Sequence, residues 1–323
     1  MSTATVSKVL NGYSDVGQQT ARAVREAAAE LGYVPNAMAR ALKTNRTYNI
    51  GVLFIDPMRS GLSHEYFSHI LESLKTQAEQ KRYDITFISR NIGGRSMSYL
   101  EHCRYRGCDG VVIASVDFTD PQVLALAGSG IPIVTVDHIF GNISSVLSDN
   151  VSGMRDLVRY LHGRGHRRIA YIHGEDTDVT RRRLAGFHRT CRSLGVSVPA
   201  GYLVPARYHD PEGSSAATRR LLELDDRPTC ILYPDDFSYL GGLSELERAG
   251  LRAPQDISAA GYDGIPLSQN IRPRLTTLKQ DAETIGRTAA TLLIRAIEEP
   301  ETAFPEQIVI AGQLLPGETV AAL

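Results

Sequence analysis

Asn49-Ile50-Gly51-Val52-Leu53-Phe54-Ile55-Asp56 is apolar without a break from Ile50 to Ile55 and ends on a carboxylate. An unbroken run of strand length predicts a strand buried on both faces, which requires helices above and below the sheet it joins. The sequence on its C-terminal side supplies them. An amphipathic helix is expected over about His64–Lys81, then strands at Tyr83–Ser89, Gly110–Ser115 and Pro132–Asp137, each parted from the last by a helical stretch. After Val146–Asp149 the cycle restarts with helix Asn150–His162, strand Arg168–His173, helices Thr180–Leu194 and Pro211–Leu224, strand Thr229–Tyr233, helix Asp236–Ala249 and strand Asp256–Tyr262. The pattern reads as α/β, with parallel sheets in two subdomains. The break falls near 147–150 and a return crossing near 274–281. The final helix, about Ala282–Glu298, and the strand Gln307–Ala311 are expected to return to the first subdomain or its edge.

Open parallel sheets bind ligands beyond the carboxyl ends of their strands. Two such sheets joined by short crossings therefore make a cleft that closes on a small molecule by hinge motion.

On the N-terminal side the pattern is different. Ser2-Thr3-Ala4-Thr5-Val6-Ser7-Lys8-Val9-Leu10-Asn11-Gly12 has a serine placed to cap a helix, apolar residues 6, 9 and 10 on one face, and Asn-Gly to close it. A second helix, Gln18 to Leu31, is expected to turn Val24, Ala28 and Leu31 inward and to stop at Gly32. Polar, aperiodic residues 43–48 make a linker, so residues 1–47 form a small all-α head and 48–323 the body. In the head Lys8, Arg22, Arg25, Arg40, Lys43 and Arg46 stand against Asp15, Glu26 and Glu30, an excess of three positive charges in a chain whose total is −1. A basic head on an acidic body fits phosphate contact by the head alone.

Composition excludes several classes. With 323 residues, 42% hydrophobic and 22% charged, the chain fills about two ordinary domains and is not disordered. Its apolar runs are far shorter than a membrane helix needs, and no basic-then-apolar leader opens it, so no membrane partner and a cytoplasmic location are expected. Cys103, Cys108, Cys191 and Cys230 form no CxxC pair and read as reduced thiols. No metal or cofactor is expected. His64-Glu-Tyr-Phe-Ser-His69 places its histidines five apart, about 140° round a helix, where a zinc-binding helix needs four. Glycines 163 and 165 break any helix between His162 and His166. Gly128-Ser-Gly130 precedes a strand, whereas a nucleotide loop follows one. With neither a GxSxG elbow nor a Walker loop, the chain is not read as an enzyme.

A series of short motifs runs through the whole chain. After the head and Pro35-Asn36-Ala37-Met38-Ala39-Arg40-Ala41-Leu42 come Asn49-Ile50-Gly51-Val52, Gly107-Cys-Asp-Gly-Val-Val-Ile113 and Gly130-Ile-Pro-Ile-Val-Thr-Val-Asp137. Ser148-Asp149-Asn150, Gly165-His-Arg-Arg-Ile-Ala170, Arg183-Leu-Ala-Gly-Phe187, Asp235-Asp236, Gly261-Tyr262-Asp263 and Leu275-Thr-Thr-Leu-Lys-Gln280 follow in order. Each is weak alone, but together they resemble the lactose-repressor (LacI/GalR) family of bacterial transcription regulators. The resemblance implies a periplasmic-binding-protein-like body of two lobes behind a helix-turn-helix head, a homodimer, operator DNA as one partner and a small-molecule effector as the other. Thr3, Ala4 and Lys8 would face base edges, with Ser2, Thr5 and Ser7 near phosphates. Residues 35–42 would be the hinge helix, with Asn36, Ala37 and Arg40 on DNA and Leu42 wedged between base pairs of the minor groove. Dimerisation would use the helices that begin at His64 and Asp236.

In the body the resemblance gives an effector site of Asp56, Tyr66, Phe67, Ser115 and Asp137 from the first subdomain and Arg181, Asp235 and Asp263 from the second, with Gln280 on a crossing. Carboxylates, Arg and Gln suit adjacent sugar hydroxyls, and with no Trp in the chain an aromatic platform falls to Tyr66, Phe67, Phe237 or Tyr262. Position 235 usually bears an amide in this family. Asp235 here disfavours an acidic effector, so a neutral sugar or related polyol is expected. The head departs from the family in beginning just ahead of the recognition helix, without the first helix that crosses the backbone. A start upstream of Met1 is expected, and the sequence as it stands is expected to bind DNA poorly. The alternatives are a sugar receptor that does not bind DNA, or a dimerisation partner of complete regulators.

Overall fold

In a computed structural model the chain divides into two compact units, Met1–Tyr48 and Asn49–Leu323. The structure describes residues 2–10, 15–33, 46–56 and 61–323. The hinge reading, with Asn36, Ala37, Arg40 and Leu42, lies outside the described residues.

The head holds α1 (Thr3–Leu10) and α2 (Gln18–Glu30). Helices this short do not persist alone in water, so each depends on the other. Val9 is buried against Ala21 and Val24, with Val6, Leu10 and Val16 at the rim. The Ser2 hydroxyl accepts the Thr5 N–H at 3.1 Å and caps α1. One expectation fails here. Leu31 is 82% exposed rather than inward. Eight residues of α1 span only about 12 Å, too little to cover the last turn of the longer α2.

In the body, lobe 1 begins with β1 (Asn49–Phe54), α3 (Glu65–Gln80), β2 (Asp84–Phe87) and a small hairpin of β3 (Asn91–Ile92) and β4 (Arg95–Ser96). It continues through α4 (Tyr99–Tyr105), β5 (Gly110–Ala114), α5 (Pro121–Ala127), β6 (Ile133–Val136) and β7 (Ser144–Ser148). The chain then crosses to lobe 2: α6 (Asn150–Gly163), β8 (Ile169–His173), α7 (Asp178–Ser193), β9 (Leu203–Pro205), α8 (Pro211–Leu222), β10 (Cys230–Leu232), α9 (Asp236–Arg248), β11 (Ser258–Asp263), α10 (Pro266–Asn270) and β12 (Thr276–Lys279). It crosses back for α11 (Ala282–Glu298) and β13 (Gln307–Ile310), and a third time for β14 (Gln313–Leu315).

The first sheet runs β13-β7-β6-β5-β1-β2, parallel throughout. The second runs β14-β12-β11-β10-β8-β9, with only β14 antiparallel. The sequence reading took 274–281 as one crossing. Instead Thr276–Lys279 pairs with β11, and the chain leaves lobe 2 only after Lys279. The third crossing, after Ile310, is tied to the first by the Asp149 N–H donating to Ile310 O at 2.8 Å. Aspartates cap the helices that follow the first two crossings: Asp149 accepts from Ser152 N–H and Asp281 from Thr284 N–H.

Each sheet is covered on both faces, as the apolar strands require. In lobe 2 one core gathers Leu157, Leu161, Tyr171, Phe187 and Tyr262, and the other Ile172, Leu221, Ile231, Tyr239 and Leu275. In lobe 1 α11 returns to lie on α3 at close range, where a methyl on Gly286 would meet Ile70 O at 2.2 Å. Among the described residues no helix is long and apolar enough to cross a membrane.

Candidate functional site

The strand order of each sheet reverses once, between β1 and β5 in lobe 1 and between β8 and β10 in lobe 2. Helices leave to opposite faces there, so the carboxyl ends of those strands border a crevice. The two crevices form one cleft of about 160 Å³. Asp56 follows β1, Ser115 follows β5 and Asp137 follows β6; Glu175 follows β8, Asp235 follows β10, and Asp263 ends β11. Six described residues other than glycine have positive φ, and four of them line this cleft: Ser115 (51°), Asp137 (58°), His209 (56°) and Asp263 (99°). Such backbone costs about 1–3 kcal/mol per residue and persists only where surrounding structure enforces it.

Lobe 2 supplies a buried cation. Arg183, 3% exposed, donates from Nε to Asn150 Oδ1 and from Nη1 to Pro234 O, both at 2.7 Å. Its guanidinium lies 3.5 Å from the Tyr262 ring centre and 5.3 Å from that of Tyr208. Gly174 makes the space for Tyr208, since a methyl there would sit 2.2 Å from the ring. The Arg183 Nη2 approaches Asp263 Oδ1 at 3.8 Å, and Gln280 Nε2 donates to the same oxygen at 2.7 Å. Burial pushes the Asp263 carboxyl up to about 7, against the pull of Arg183. Gln280 Oε1, buried, has no partner.

Lobe 1 faces this network with rings and hydroxyls. The Tyr66 O–H donates to Asp137 Oδ2 at 3.2 Å, and Ser148 N–H donates to Asp137 Oδ1 at 2.8 Å. Burial raises the Asp137 carboxyl above its ordinary range, an effect the Ser148 N–H, Arg183 and Tyr66 reduce. Phe67 packs on Tyr66 and Phe54 with ring centres 5.1 and 5.4 Å apart. Two contacts cross between the lobes. His64 stacks on His209 at 4.3 Å, and His138 Nδ1, under the ring of Phe118, meets Asp178 Oδ2 at 2.8 Å.

Of the residues expected at an effector site, Asp56, Tyr66, Phe67, Ser115, Asp137, Asp235, Asp263 and Gln280 all line the cleft. Arg181 does not join them. It is largely exposed and bonded to Asp176 and Asp178, because it sits a half-turn of α7 away from the inward face. Arg183 occupies the inward position, and the motif Arg183-Leu-Ala-Gly-Phe187 contained it. Asp235 faces the cleft with its oxygens already engaged: Oδ1 accepts from Ser238 N–H at 2.7 Å, and Oδ2 from Ser238 Oγ and His209 N–H at 2.8 and 2.7 Å. Of the expected platforms, Phe237 lies under His209 and Tyr262 under Arg183. The sequence reading missed His64 as a cleft residue, and also His138, Tyr208 and His209. Loop conformation brings them in, and nothing in their spacing marks them.

Among the described residues, six carboxylates line the cleft, on Asp56, Asp137, Glu175, Asp178, Asp235 and Asp263, against one guanidinium, that of Arg183. Such a lining accepts hydrogen bonds from a ligand and repels an anion. In the head, Ser2, Thr3, Ala4 and Lys8 are exposed and Thr5 and Ser7 half-buried, with Lys8 ion-paired to Asp15.

Comparison with known proteins places these features in context. Residues 158–320 match the periplasmic binding protein-like domain, and residues 1–36 match the bacterial regulatory proteins of the lacI family. The chain is similar to the HTH-type transcriptional repressor PurR of Escherichia coli O1:K1, 31% identical over 330 residues that cover 99% of this chain and 94% of that protein. Among solved structures, a transcriptional regulator CelR–cellobiose complex is 28% identical and superposes with a TM-score of 0.75 over 98% of this chain and 95% of that one. A LacI family regulator from Enterococcus faecium with bound ribose is 26% identical, with a TM-score of 0.72 over 85% of this chain and 99% of that one.

Proposed function

Because the chain belongs to the LacI family of bacterial regulatory proteins, we propose that it represses transcription by sequence-specific DNA binding under the control of a neutral sugar or related polyol. The observation that carries the effector reading is the Asp263–Gln280–Arg183 group facing Asp137 and Tyr66 across one cleft. A polyol offers several O–H donors to the free acceptor sites on these carboxylates and on Gln280 Oε1, and its apolar face suits the rings of Phe67 and Phe118. Arg183 takes the role expected of Arg181. Two similar structures hold cellobiose and ribose, which supports the class.

On this reading Thr3, Ala4 and Lys8 face operator bases and Ser2, Thr5 and Ser7 lie near phosphates, with Lys8 exchanging Asp15 for DNA. The working form is a homodimer. A groove of about 490 Å³ along α3 and the edge strand β2, lined by the exposed Leu62 and Phe87, supports one face of it, since an open sheet edge beside exposed apolar side chains favours a second chain. Effector binding shifts operator affinity by no more than its differential affinity for the two lobe arrangements.

The test is a thermal-shift screen of monosaccharides, disaccharides and nucleosides on the wild type and on Asp263→Ala. A sugar at a hundredfold excess over its Kd should stabilise the wild type by about 2.7 kcal/mol and the variant by almost nothing. An equal shift in the variant, or a response to nucleosides alone, sinks the polyol reading. For the DNA partner, in a chain extended upstream of Met1 to carry the first helix, Leu42→Ala should weaken operator binding and leave effector affinity unchanged; an unchanged operator Kd in fluorescence anisotropy removes the wedge role.

A further inference from the structure

His64 stands at the N-terminus of α3 in lobe 1 and is 8% exposed. Its ring stacks on His209 of lobe 2 with planes 21° apart, and His209 stacks in turn on Phe237 at 4.0 Å and 8°. Phe67 meets the other side of His64 edge-on at 4.9 Å. A column of four rings therefore passes from one lobe to the other. His209 is fixed to its own lobe by its N–H bond to Asp235 Oδ2 and by a left-handed backbone. The two imidazoles touch only when the lobes are together. Against this attraction stands one defect: His64 Nδ1 is buried in the cleft wall with no hydrogen-bond partner.

We infer that His64 is a positioning residue that sets the balance between open and closed lobes, its ring drawing them together on His209 and its bare Nδ1 resisting until a ligand hydroxyl meets it. The charged and titratable groups facing the ring are His209, Asp235 and Asp56. The hydroxyl partner rests on the polyol reading; the opposing actions of ring and nitrogen do not, and they are separable without any ligand.

The experiment is double electron–electron resonance on the full, ligand-free chain, with spin labels at Asn142→Cys on lobe 1 and Glu212→Cys on lobe 2, in a Cys108→Ser background. His209→Ala deletes the stack while leaving His64 Nδ1 in place, and should raise the open-to-closed ratio about two- to tenfold. His64→Ala removes the ring and the bare nitrogen together, so it should open the lobes less than His209→Ala. His64→Phe keeps a ring and removes the unpaired nitrogen, so its distance distribution should be at least as closed as that of the wild type. No variant alters the residues of the second cross-cleft contact, His138 to Asp178. An unchanged distribution in His209→Ala, more opening in His64→Ala than in His209→Ala, or opening in His64→Phe would overturn the inference. None of these results bears on whether the effector is a polyol, which the thermal-shift screen decides.

Discussion

Lobe 1 meets the cleft with rings and hydroxyls, Tyr66, Phe67, Ser115 and Phe118, whereas lobe 2 meets it with a buried guanidinium and the groups bound to it. Both lobes share one strand order, and both present the residues that follow their first and third parallel strands. The scaffold therefore fixes where a ligand lies, and the loops decide what it meets. In lobe 2 the polar groups are joined before any ligand arrives: Arg183 holds Asn150, Pro234 and Asp263 at once. Such a preorganised anchor costs little further ordering on binding. In lobe 1 the Ser148 N–H holds Asp137 at 2.8 Å, and the side-chain contact to it is one long hydrogen bond from Tyr66, among rings that can adjust.

Arg183→Ala should show the contrast most strongly. It removes a buried cation, leaves Asn150 Oδ1 and Pro234 O without its N–H groups and takes the counter-charge from Asp263, a loss of about 3–5 kcal/mol in denaturant unfolding. Arg183→Lys should recover only part of it, since an ammonium cannot span the same acceptors. A loss under about 1 kcal/mol for the alanine variant would mean that lobe 2 holds no such anchor.

Asp263→Asn sharpens the same comparison through pH. Burial lifts the folded-state carboxyl to about 7, above an unfolded value near 3.8. Between those values the folded protein holds the extra proton, so the ionisation of Asp263 makes the wild type less stable as pH rises from about 4 to about 7. The asparagine variant lacks that loss. It should equal or exceed the wild type in Tm at pH 8 and lose the advantage by pH 4, while failing to respond to effector. A wild type that gains stability over the variant as pH rises would show that Arg183 dominates burial.

How much of this was legible in the sequence differs by element. β1 could be read because four consecutive buried residues leave only a sheet covered on both sides. The α/β class and the family followed from motifs spread over the chain. β12 and β14 were not separated from the crossings, because strands of four and three residues beside a chain reversal carry no periodicity. The arginine run at 181–183 was legible in principle. Position 183 shares its helical face with Gly186, Phe187 and Thr190, all buried, while Arg181 does not, and three- and four-residue spacing alone would have chosen it. His209 and His64 could not have been found this way. One is placed by a left-handed loop residue and the other by a helix start, and they are 145 positions apart with only the cleft between them.

The smallest effect belongs to lobe 1, in Tyr66→Phe. The variant loses a 3.2 Å hydrogen bond to Asp137 but keeps the ring on Phe67, and Ser148 N–H still holds the other Asp137 oxygen. A loss of about 1 kcal/mol at pH 7.5 is expected in chemical unfolding. The pH dependence has a definite sign. The Tyr66 O–H favours the ionised form of Asp137, whose carboxyl burial already raises, so its removal raises that carboxyl further. The gap between variant and wild type should therefore be widest where Asp137 is ionised and should narrow as acid protonates it. If Tyr66→Phe instead matched Arg183→Ala in size, the hydroxyl wall of lobe 1 would be as preorganised as the guanidinium wall of lobe 2. The effector would then close two rigid surfaces on itself, rather than drawing an adjustable surface onto a fixed one.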